Sequence, residues 1–463
     1  MLRFVTTKFM LPVFQMMSGS KFLSYMKQLR KSQWWTLSEL NKLRNKRLRC
    51  LINHAYDTVP YYRRLFRQRG LTPQDIRTVE DLVKLPVMTK DIIRRNFDEL
   101  VSRKIPKGKV KLRATGGSTG EPLNFYVSQE TMDYSEATRL RGWEIAGYQF
   151  GEKSAKLWAS TFDAKKLFSL KSRFRRYLHR HLLLDSNVLT PTTMKIYTEQ
   201  LRQYKPTLLM GYTSSLFKLA EFILNSDDIE PLSIPAIVTG AETLYPHWRP
   251  LLRNAFGGEV FNHYLTRETC VSSDECPSHE GSHVSIEVGH LEILSENESV
   301  IDEHGRVLVT DFFNFAMPFI RFDLQDVALL KSERCSCGRS LPLLDKILGR
   351  INDLIVSPTG VTYNPVFFMW LVYRNPWKAD KLEGIQDYQI VQQKIDYLIV
   401  NIVPTEDMPI EIPDLIRENI LRETKNEFEV EIRLVDELPL TQAGKRRYVI
   451  SEISTTPTFN FEN

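Results

Sequence analysis

The chain has 463 residues, of which 42% are apolar and 25% charged, and its formal net charge is +6. This length predicts more than one domain, and the composition is that of a globular protein rather than a disordered one. A charge of +6 over 463 residues excludes a dedicated nucleic-acid binder but suits an anionic ligand such as a nucleotide. Five cysteines in a chain of this size argue against a disulfide scaffold and favour a cytoplasmic protein.

The N-terminal segment is basic and apolar, with no acidic side chain before Glu39. Its uncharged run, residues 9–20, has only 12 residues, whereas a membrane-spanning helix needs roughly 20. The segment therefore fits either an amphipathic helix lying on an anionic membrane or a helix packed on its own domain. The second interpretation is favoured, and peripheral membrane association stays the alternative.

The elements change in type along the chain. Residues 34–101 carry apolar side chains at helical spacing and are predicted to be mostly helical. From residue 110 onward strands and helices alternate, with strands predicted at 123–127, at 237–239, at 259–261 and within 305–330. This alternation predicts an α/β fold, in which a large multi-layer domain with mixed sheets covers residues 1–349.

Beyond Gly349 the pattern becomes that of a small α+β unit. A hairpin is predicted around Ser357-Pro358-Thr359-Gly360, followed by a strand at 397–403 and a helix at 414–425. We therefore expect a second, small C-terminal domain that covers residues 350–463.

A loop rich in glycine and hydroxyl residues is the most informative stretch. It consists of Thr115, Gly116, Gly117, Ser118, Thr119 and Gly120, followed by Glu121-Pro122. Glycine lets the backbone approach a ligand, successive N–H groups can form an anion nest, and the hydroxyls add donors to phosphate oxygens. The pattern lacks the Gly-Lys-Ser/Thr ending of nucleoside-triphosphatase loops. It predicts a phosphate-binding loop, with a flexible surface loop as the alternative.

Cysteine and histidine spacing predicts a metal site. Cys335 and Cys337 are separated by one residue and followed by glycine, and Cys276 and His283 lie upstream. Four nitrogen and sulfur ligands form a closed tetrahedral site for structural zinc. His279 is the alternative histidine, and the remaining two cysteines, Cys50 and Cys270, are interpreted as ordinary buried thiols.

Together with five further motifs, the loop resembles the signature pattern of the adenylate-forming superfamily, which includes the acyl-CoA synthetases. The other motifs follow in the family's order: Gly240-Ala241-Glu242, the segment 262–268 that ends in Glu268, the segment 321–326 that ends in Asp326, the segment 349–353, and the segment 439–445 that ends in Lys445. The likeness spans roughly residues 80–450. The arginine at position 267 resembles the one found in the capsular-polysaccharide (CapK-like) branch, which is related to phenylacetate–CoA ligases. Relatives of the phenylacetate–CoA ligases also carry a similar Cys…His…Cys-x-Cys pattern.

The resemblance implies a role for each motif. The loop at 115–120 would hold the β- and γ-phosphates of ATP, and Gly240, Ala241 and Glu242 would line the adenine pocket. Tyr264 would stack on the purine or line the acyl pocket, and Asp326 would accept the ribose hydroxyls. Arg350 would contact the nucleotide at the hinge between the domains, about which the small domain would be mobile. Glu268 would ligate Mg²⁺, which prefers carboxylate oxygen. Arg267 would neutralise the α-phosphate, and Lys445 would be the catalytic lysine.

The implied reaction is the two-step activation of a carboxylic acid. ATP and Mg²⁺ support formation of an acyl-adenylate, and an acceptor, most often CoA, then displaces AMP. Two alternatives remain open: an amide-forming or acyl-transfer ligase of surface-polysaccharide assembly, and a nucleotide-binding homologue without catalysis. The second is kept by departures from the family pattern, namely Glu121 for lysine, Leu265 for glycine, and Leu324-Gln325 for Thr-Gly.

Overall fold

The computed structural model describes residues 19–115, 122–158, 180–295, 298–363, 365–373, 384–439 and 447–453. The α-helices of this part are α1 Phe22–Ser32, α2 Leu37–Thr58, α3 Pro60–Gln68, α4 Lys90–Arg95, α5 Phe97–Leu100, α6 Gln129–Ile145, α7 Pro191–Tyr204, α8 Thr213–Leu224, α9 Trp248–Phe256, α10 Pro365–Tyr373 and α11 Ile412–Glu423. Short 3-10 helices cover Pro73–Asp75, Val79–Lys84, Lys107–Lys109 and Ile351–Asp353. None of the helices in these ranges has the length and apolar character that a membrane crossing requires. Residues 1–18 lie outside the described ranges, so both interpretations of the N-terminal segment stay predictions.

Most strands belong to one large sheet. Its members are β3 Ser154–Leu157, β4 His181–Leu184, β5 Leu208–Tyr212, β6 Ala236–Gly240, β7 Glu259–Leu265, β8 Ser272–Glu275, β9 Ser282–Val284, β10 Gly289–Ser295, β11 Glu298–Val300, β12 His304–Asp311, β13 Phe322–Lys331 and β14 Leu343–Arg350. Their order across the sheet is β11-β10-β12-β13-β14-β9-β8-β7-β6-β5-β3-β4. A separate antiparallel hairpin, β1 Val110–Ala114 with β2 Asn124–Ser128, frames the glycine-rich loop.

Five neighbouring strands of the large sheet, β4, β3, β5, β6 and β7, run parallel. Helices α7, α8 and α9 make the crossovers that parallel pairing requires. Every residue of β5 and of β6 is buried, as expected for strands covered on both faces. Because these strands are parallel, their carboxyl ends meet at one edge, where ligands bind in open α/β sheets.

The N-terminal helices pack against this sheet and confirm the helical prediction for 34–101. A capping box at Thr36 and Glu39 starts α2, whose buried face includes Leu48 and Leu51. Further along, Met88 forms an isolated parallel bridge with Phe322 at the start of β13. That bridge fixes the start of α4 beside the large sheet.

A smaller sheet follows Gly349. Its strands are β17 Ile385–Lys394, β18 Tyr397–Pro404, β19 Glu429–Leu434 and β20 Val449–Ser451, in the order β19-β18-β17-β20. The predicted hairpin is present as β15 Ile355–Val356 paired with β16 Thr362–Tyr363. The fold class predicted from the sequence is therefore confirmed. The boundary at residue 349 and the mobility of the small unit stay predictions.

Candidate active site and metal centre

Tyr264, Asp326 and Arg350 meet beside the carboxyl end of β7. The Tyr264 hydroxyl donates a hydrogen bond to Asp326 Oδ2 at 2.5 Å. Asp326 and Arg350 face each other across β13 and β14, and Arg350 Nε lies 3.9 Å from Asp326 Oδ1. Burial, and then the Asp326 carboxylate, raise the pKa of Tyr264 well above its ordinary value, so its hydroxyl stays a proton donor. Three residues that the sequence assigned to one nucleotide site are thus brought together.

Lys90 joins this group, although the sequence analysis did not select it. The bridge between Met88 and Phe322 places Lys90 at the first position of α4, next to the turn within β13. Its ammonium donates a hydrogen bond to Gln325 Oε1 at 2.6 Å. A lysine at a helix start is electrostatically unfavourable, and this was the one signal in the sequence that could have identified it.

Charged side chains surround Lys90 in this group. Burial lowers the pKa of Lys90, and the neighbouring Arg350 lowers it further. Three carboxylates act in the opposite direction: Glu268, Asp326 and Asp323. Lys90 and Arg350 are therefore two cations among three carboxylates, an arrangement suited to a polyanion accompanied by a metal cation.

The segment Gly240–Glu242 continues directly from the carboxyl end of β6. Ala241 has a φ of +66°, so the chain turns sharply there. The Glu242 carboxylate accepts a hydrogen bond from Ser214 N–H at 2.8 Å, and its carbonyl accepts one from the Thr213 hydroxyl at 3.1 Å. Because these bonds tie Glu242 to the start of α8, the backbone of the turn is the part left to contact a ligand.

The two arms of the β1–β2 hairpin hold the ends of the glycine-rich loop. Thr115 N–H donates to the Leu123 carbonyl at 3.0 Å, and Leu123 N–H donates to Thr115 Oγ1 at 2.9 Å. Residues 116–121, which include Gly116, Gly117, Ser118, Thr119 and Gly120, lie outside the described ranges. Thr115 is buried, so its hydroxyl holds the base of the loop.

The remaining predicted catalytic residues differ in how far the structure describes them. Glu268 is half-buried beside Lys90, whereas Arg267 is exposed. Lys445 lies outside the described residues, but Arg447, two positions later, binds Asp353 with Nε 3.1 Å from Oδ1. This ion pair links the chain just after Lys445 to the 3-10 helix Ile351–Asp353.

The four predicted metal ligands form one cluster. Their ligand atoms, from Cys276, His283, Cys335 and Cys337, all lie within 4.8 Å of one another. Cys276 Sγ is 3.6 Å from Cys335 Sγ, and Cys337 Sγ is 3.3 Å from His283 Nε2. Ligands at Zn–S and Zn–N bond lengths around a tetrahedral ion are separated by about 3.5–3.8 Å. The donor set and its spacing therefore fit zinc.

Three interpretations need correction or refinement. His279 is not part of the cluster, because its Nδ1 lies 2.9 Å from Glu275 Oε1 and its ring stacks on Phe261. Cys50 is exposed rather than buried, because it lies on the solvent face of α2, whereas Cys270 is buried as expected. Arg321, part of a family motif, is buried against Glu292 at 2.6 Å and has a structural role.

The chain was compared with protein-family models, with the sequences of known proteins and with solved structures. Residues 376–452 match the family model of the CapK C-terminal domain. The chain is 26% identical to Protein CapK of Staphylococcus aureus, over 90% of each chain. It is 24% identical to the phenylacetate-coenzyme A ligase of Thermus thermophilus, over 89% of this chain and 96% of that enzyme. The solved structure of 2-hydroxyisobutyryl-CoA ligase in its postadenylation state, with R3-HIB-AMP bound, superposes with a TM-score of 0.71 at 18% identity, covering 90% of this chain and 91% of that one. At that identity the superposition shows a shared fold.

Proposed function

We propose that this chain, which belongs to the adenylate-forming superfamily on the branch of CapK and the phenylacetate–CoA ligases, is an AMP-forming acid–thiol ligase. In the first step a carboxylate oxygen attacks the α-phosphorus of ATP, which gives an acyl-adenylate and releases pyrophosphate. In the second step the thiol of CoA attacks the acyl carbonyl, and AMP leaves. The observation that carries the proposal is the convergence of Tyr264, Asp326, Arg350 and Lys90 beside the carboxyl end of β7.

Each residue of that group has a role in the first step. Asp326 has two carboxylate oxygens, of which one accepts from Tyr264 and the other faces Arg350, so it can accept ribose hydroxyls in a fixed orientation. Lys90 and Arg350 attract the phosphate chain. Glu121 stands where many family members carry lysine, and Lys90 would supply a positive charge to the phosphates from a different element.

Catalysis needs positive charge at the reacting phosphate. Glu268 would hold Mg²⁺, a hard cation that neutralises phosphate charge when bound, and its half-buried carboxylate suits that ion. Arg267, exposed beside it, would reach the α-phosphate. Lys445 of the small unit would neutralise the carboxylate and α-phosphate oxygens as they approach each other.

A structural zinc ion is the second part of the proposal. Cys276, His283, Cys335 and Cys337 supply four ligands and leave no open coordination position, which is the form of a structural rather than a catalytic site. The cluster would fix the turn before β14 against β8 and β9. It would therefore act on stability and leave the chemistry to the residues around Asp326.

Acid-dependent exchange of pyrophosphate into ATP, measured with a panel of carboxylic acids, tests the ligase. Exchange requires reversible adenylate formation, so a nucleotide-binding protein without catalysis would show none. Lys90→Met should lower exchange by about 10²-fold, the cost of one lost charge contact at developing charge. The matched control is Lys195→Met, because Lys195 is an exposed lysine paired with Asp228 on the surface. Absence of exchange with every acid would overturn the ligase, and equal exchange in both variants would remove Lys90 from the site.

A further inference from the structure

One face of the parallel strands, the face covered by α6, carries polar side chains near the candidate active site. Along β3 the side chains alternate: Ala155 and Leu157 pack into the core beneath α8 and α9, whereas Lys156 and Trp158 lie on the opposite face. On β5, Met210 belongs to that opposite face, and two residues later Tyr212 shares it. The same face of the sheet continues from β5 onto β6, where Gly240 is the last residue.

Lys156 is held against aromatic rings on this face. Its ammonium lies 4.1 Å from the centre of the Trp158 ring, and Trp158 stacks on Tyr212 with ring centres 3.9 Å apart. Lys156 is half-buried, yet within the described ranges it forms no hydrogen bond or ion pair with a carboxylate. Withdrawing an ammonium from water, even in part, is costly when it has no carboxylate partner, so an anionic ligand would be favourable at this position.

The neighbouring helix does not supply that anion. On α6, Glu136 is bound by Arg139 at 2.5 Å, so the one carboxylate among the described residues that raises the pKa of Lys156 already has a cation. Burial and then Arg139 lower the pKa of Lys156 to about 7, while Glu136 acts in the opposite direction. Among these three described groups the ammonium form of Lys156 has no anion of its own, and an anionic ligand would stabilise that form.

A second polar group lines the same face at its other end. His263 on β7 is buried, and its Nδ1 lies 2.5 Å from Asp274 Oδ1. Its Nε2 has no hydrogen-bond partner among the residues described. A Cβ placed on Gly240 would lie 3.8 Å from His263 Cδ2, so this edge of the ring borders the Gly240–Glu242 segment. A surface with two such groups is poorly suited to a purely apolar acid.

We propose that the carboxylic acid activated by this chain carries a second anionic group, bound by Lys156 beside the Trp158–Tyr212 stack. This inference rests on the proposed ligase function and names the substrate class for that same site. β3 and β6 are separated only by β5, and Lys156 is level with Val238, two residues before Gly240, so the backbones at Lys156 and Gly240 are about 12 Å apart. The second anion is therefore distal, several bonds from the carboxylate that is activated. The stacked rings provide an apolar wall for the part of the substrate in between.

The test compares acids that differ only by the distal anion. Pyrophosphate exchange is measured with 4-carboxyphenylacetate against phenylacetate, and with octanedioate against octanoate; 4-phosphonophenylacetate distinguishes a phosphonate from a carboxylate. We expect kcat/KM for the acid with two anionic groups to exceed that of its partner by tenfold or more in at least one pair. Lys156→Met should abolish this preference, Lys156→Arg should retain it, and the surface variant Lys195→Met should leave it unchanged.

The outcomes separate the two proposals. Exchange with none of the acids overturns the ligase itself. Exchange with the single-anion acids and no preference for a distal anion overturns the substrate class while the ligase stands. If Lys156→Met does not fold, the ratio of kcat/KM values in the wild type still decides the substrate class. A loss of that ratio in Lys156→Arg would then show that Lys156 does not act through its charge alone. A preference that survives in folded Lys156→Met overturns the role of this lysine.

Discussion

Single side chains explain how this chain departs from its family's motif at residues 324–325 without losing the turn. Gln325 stands where the family usually has glycine, and its φ of +63° is in the left-handed region. That conformation costs a non-glycine residue roughly 1–2 kcal/mol. Gln325 N–H donates to Asp323 Oδ1 at 2.8 Å, and its side chain accepts from Lys90 at 2.6 Å. These bonds offset the strain and explain how the turn that presents Asp326 is kept.

Lys445→Ala tests the catalytic lysine at the same scale. We expect adenylate formation to fall by about 10²–10³-fold, because one charge contact at the developing transition state is lost. Folding and ATP binding should remain largely intact, since most proposed nucleotide contacts come from the large domain. The measurement is pyrophosphate exchange, with ATP affinity measured in parallel. Unchanged exchange in the variant would refute the assignment.

At the scale of secondary-structure elements, most of the predicted metal ligands come from loops between strands rather than from the strands themselves. Cys276 follows β8, and Cys335 and Cys337 lie in the turn between β13 and β14. His283 is part of β9, which pairs with β14 through Leu343. A metal ion would hold these elements together at a place where β14 and β9 pair through only two residues each, Leu343 with His283 and Leu344 with Ser282. Its contribution is expected to appear in stability.

We predict about one zinc ion per purified chain. Cys335→Ser should lower both the metal content and the free energy of unfolding, because a structural zinc ion contributes its binding energy to folding. Cys50→Ser is the matched control, since Cys50 is exposed and outside the cluster. Metal analysis and denaturant unfolding give the two readouts. A metal-free protein whose Cys335→Ser variant is equally stable would exclude the site.

His290 on β10 predicts an acid-dependent loss of stability. Burial, followed by Arg44 and Arg321, lowers its pKa from 6.5 to about 3. The folded state therefore keeps this imidazole neutral, while the unfolded state takes up a proton below pH 6.5. Its contribution to stability is complete above pH 6.5 and is lost as the pH falls toward 3, at most about 1.4 kcal/mol per pH unit.

His290→Gln removes this titration. The difference in unfolding free energy between wild type and variant, measured in urea at pH 7 and at pH 5, should shift in favour of the variant at pH 5. Other titrating groups are shared by both proteins and cancel in the difference. The same difference at both pH values would show that His290 is protonated equally in the folded and unfolded states.

At the scale of the whole molecule, the small unit packs against α8 and α9 of the large one. Lys218 Nζ on α8 lies 3.7 Å from Asp387 Oδ2 on β17, and the rings of Trp248 and Tyr448 are 6.3 Å apart. Phe217, Tyr245 and Trp248 of the large unit also belong to the hydrophobic cluster of the small unit. For Lys445 to reach the α-phosphate and for CoA then to enter, the small unit would have to move between two positions.

Asn352→Pro tests a hinge at residues 350–353. Proline fixes φ near −65° and removes a backbone donor, so it should trap one of the two positions. One half-reaction should survive and the other should be lost. Pyrophosphate exchange reports the first half-reaction, and transfer to CoA from a preformed acyl-adenylate reports the second. Equal loss of both, or loss of neither, would argue against a hinge at this position.

The sequence by itself determined the features that depend on local pattern. The hairpin at Ser357–Gly360, the alternation of strands and helices, and the place of Cys335 and Cys337 in a Cys/His cluster could all be predicted from neighbouring residues. The fold class followed from the same alternation. The order of the motifs indicated a nucleotide site before any contact was known, because that order resembles the pattern of the adenylate-forming superfamily.

Only the tertiary structure decided which distant side chains meet. Lys90 and Gln325 are 235 positions apart, and the bridge from Met88 to Phe322 brings them together. The sequence favours His283 and leaves His279 as the alternative ligand; of the two, the β9–β14 pairing places His283 beside Cys337. Strand register and crossover connections determine such contacts, and they depend on the packing of the whole sheet rather than on any local stretch of residues.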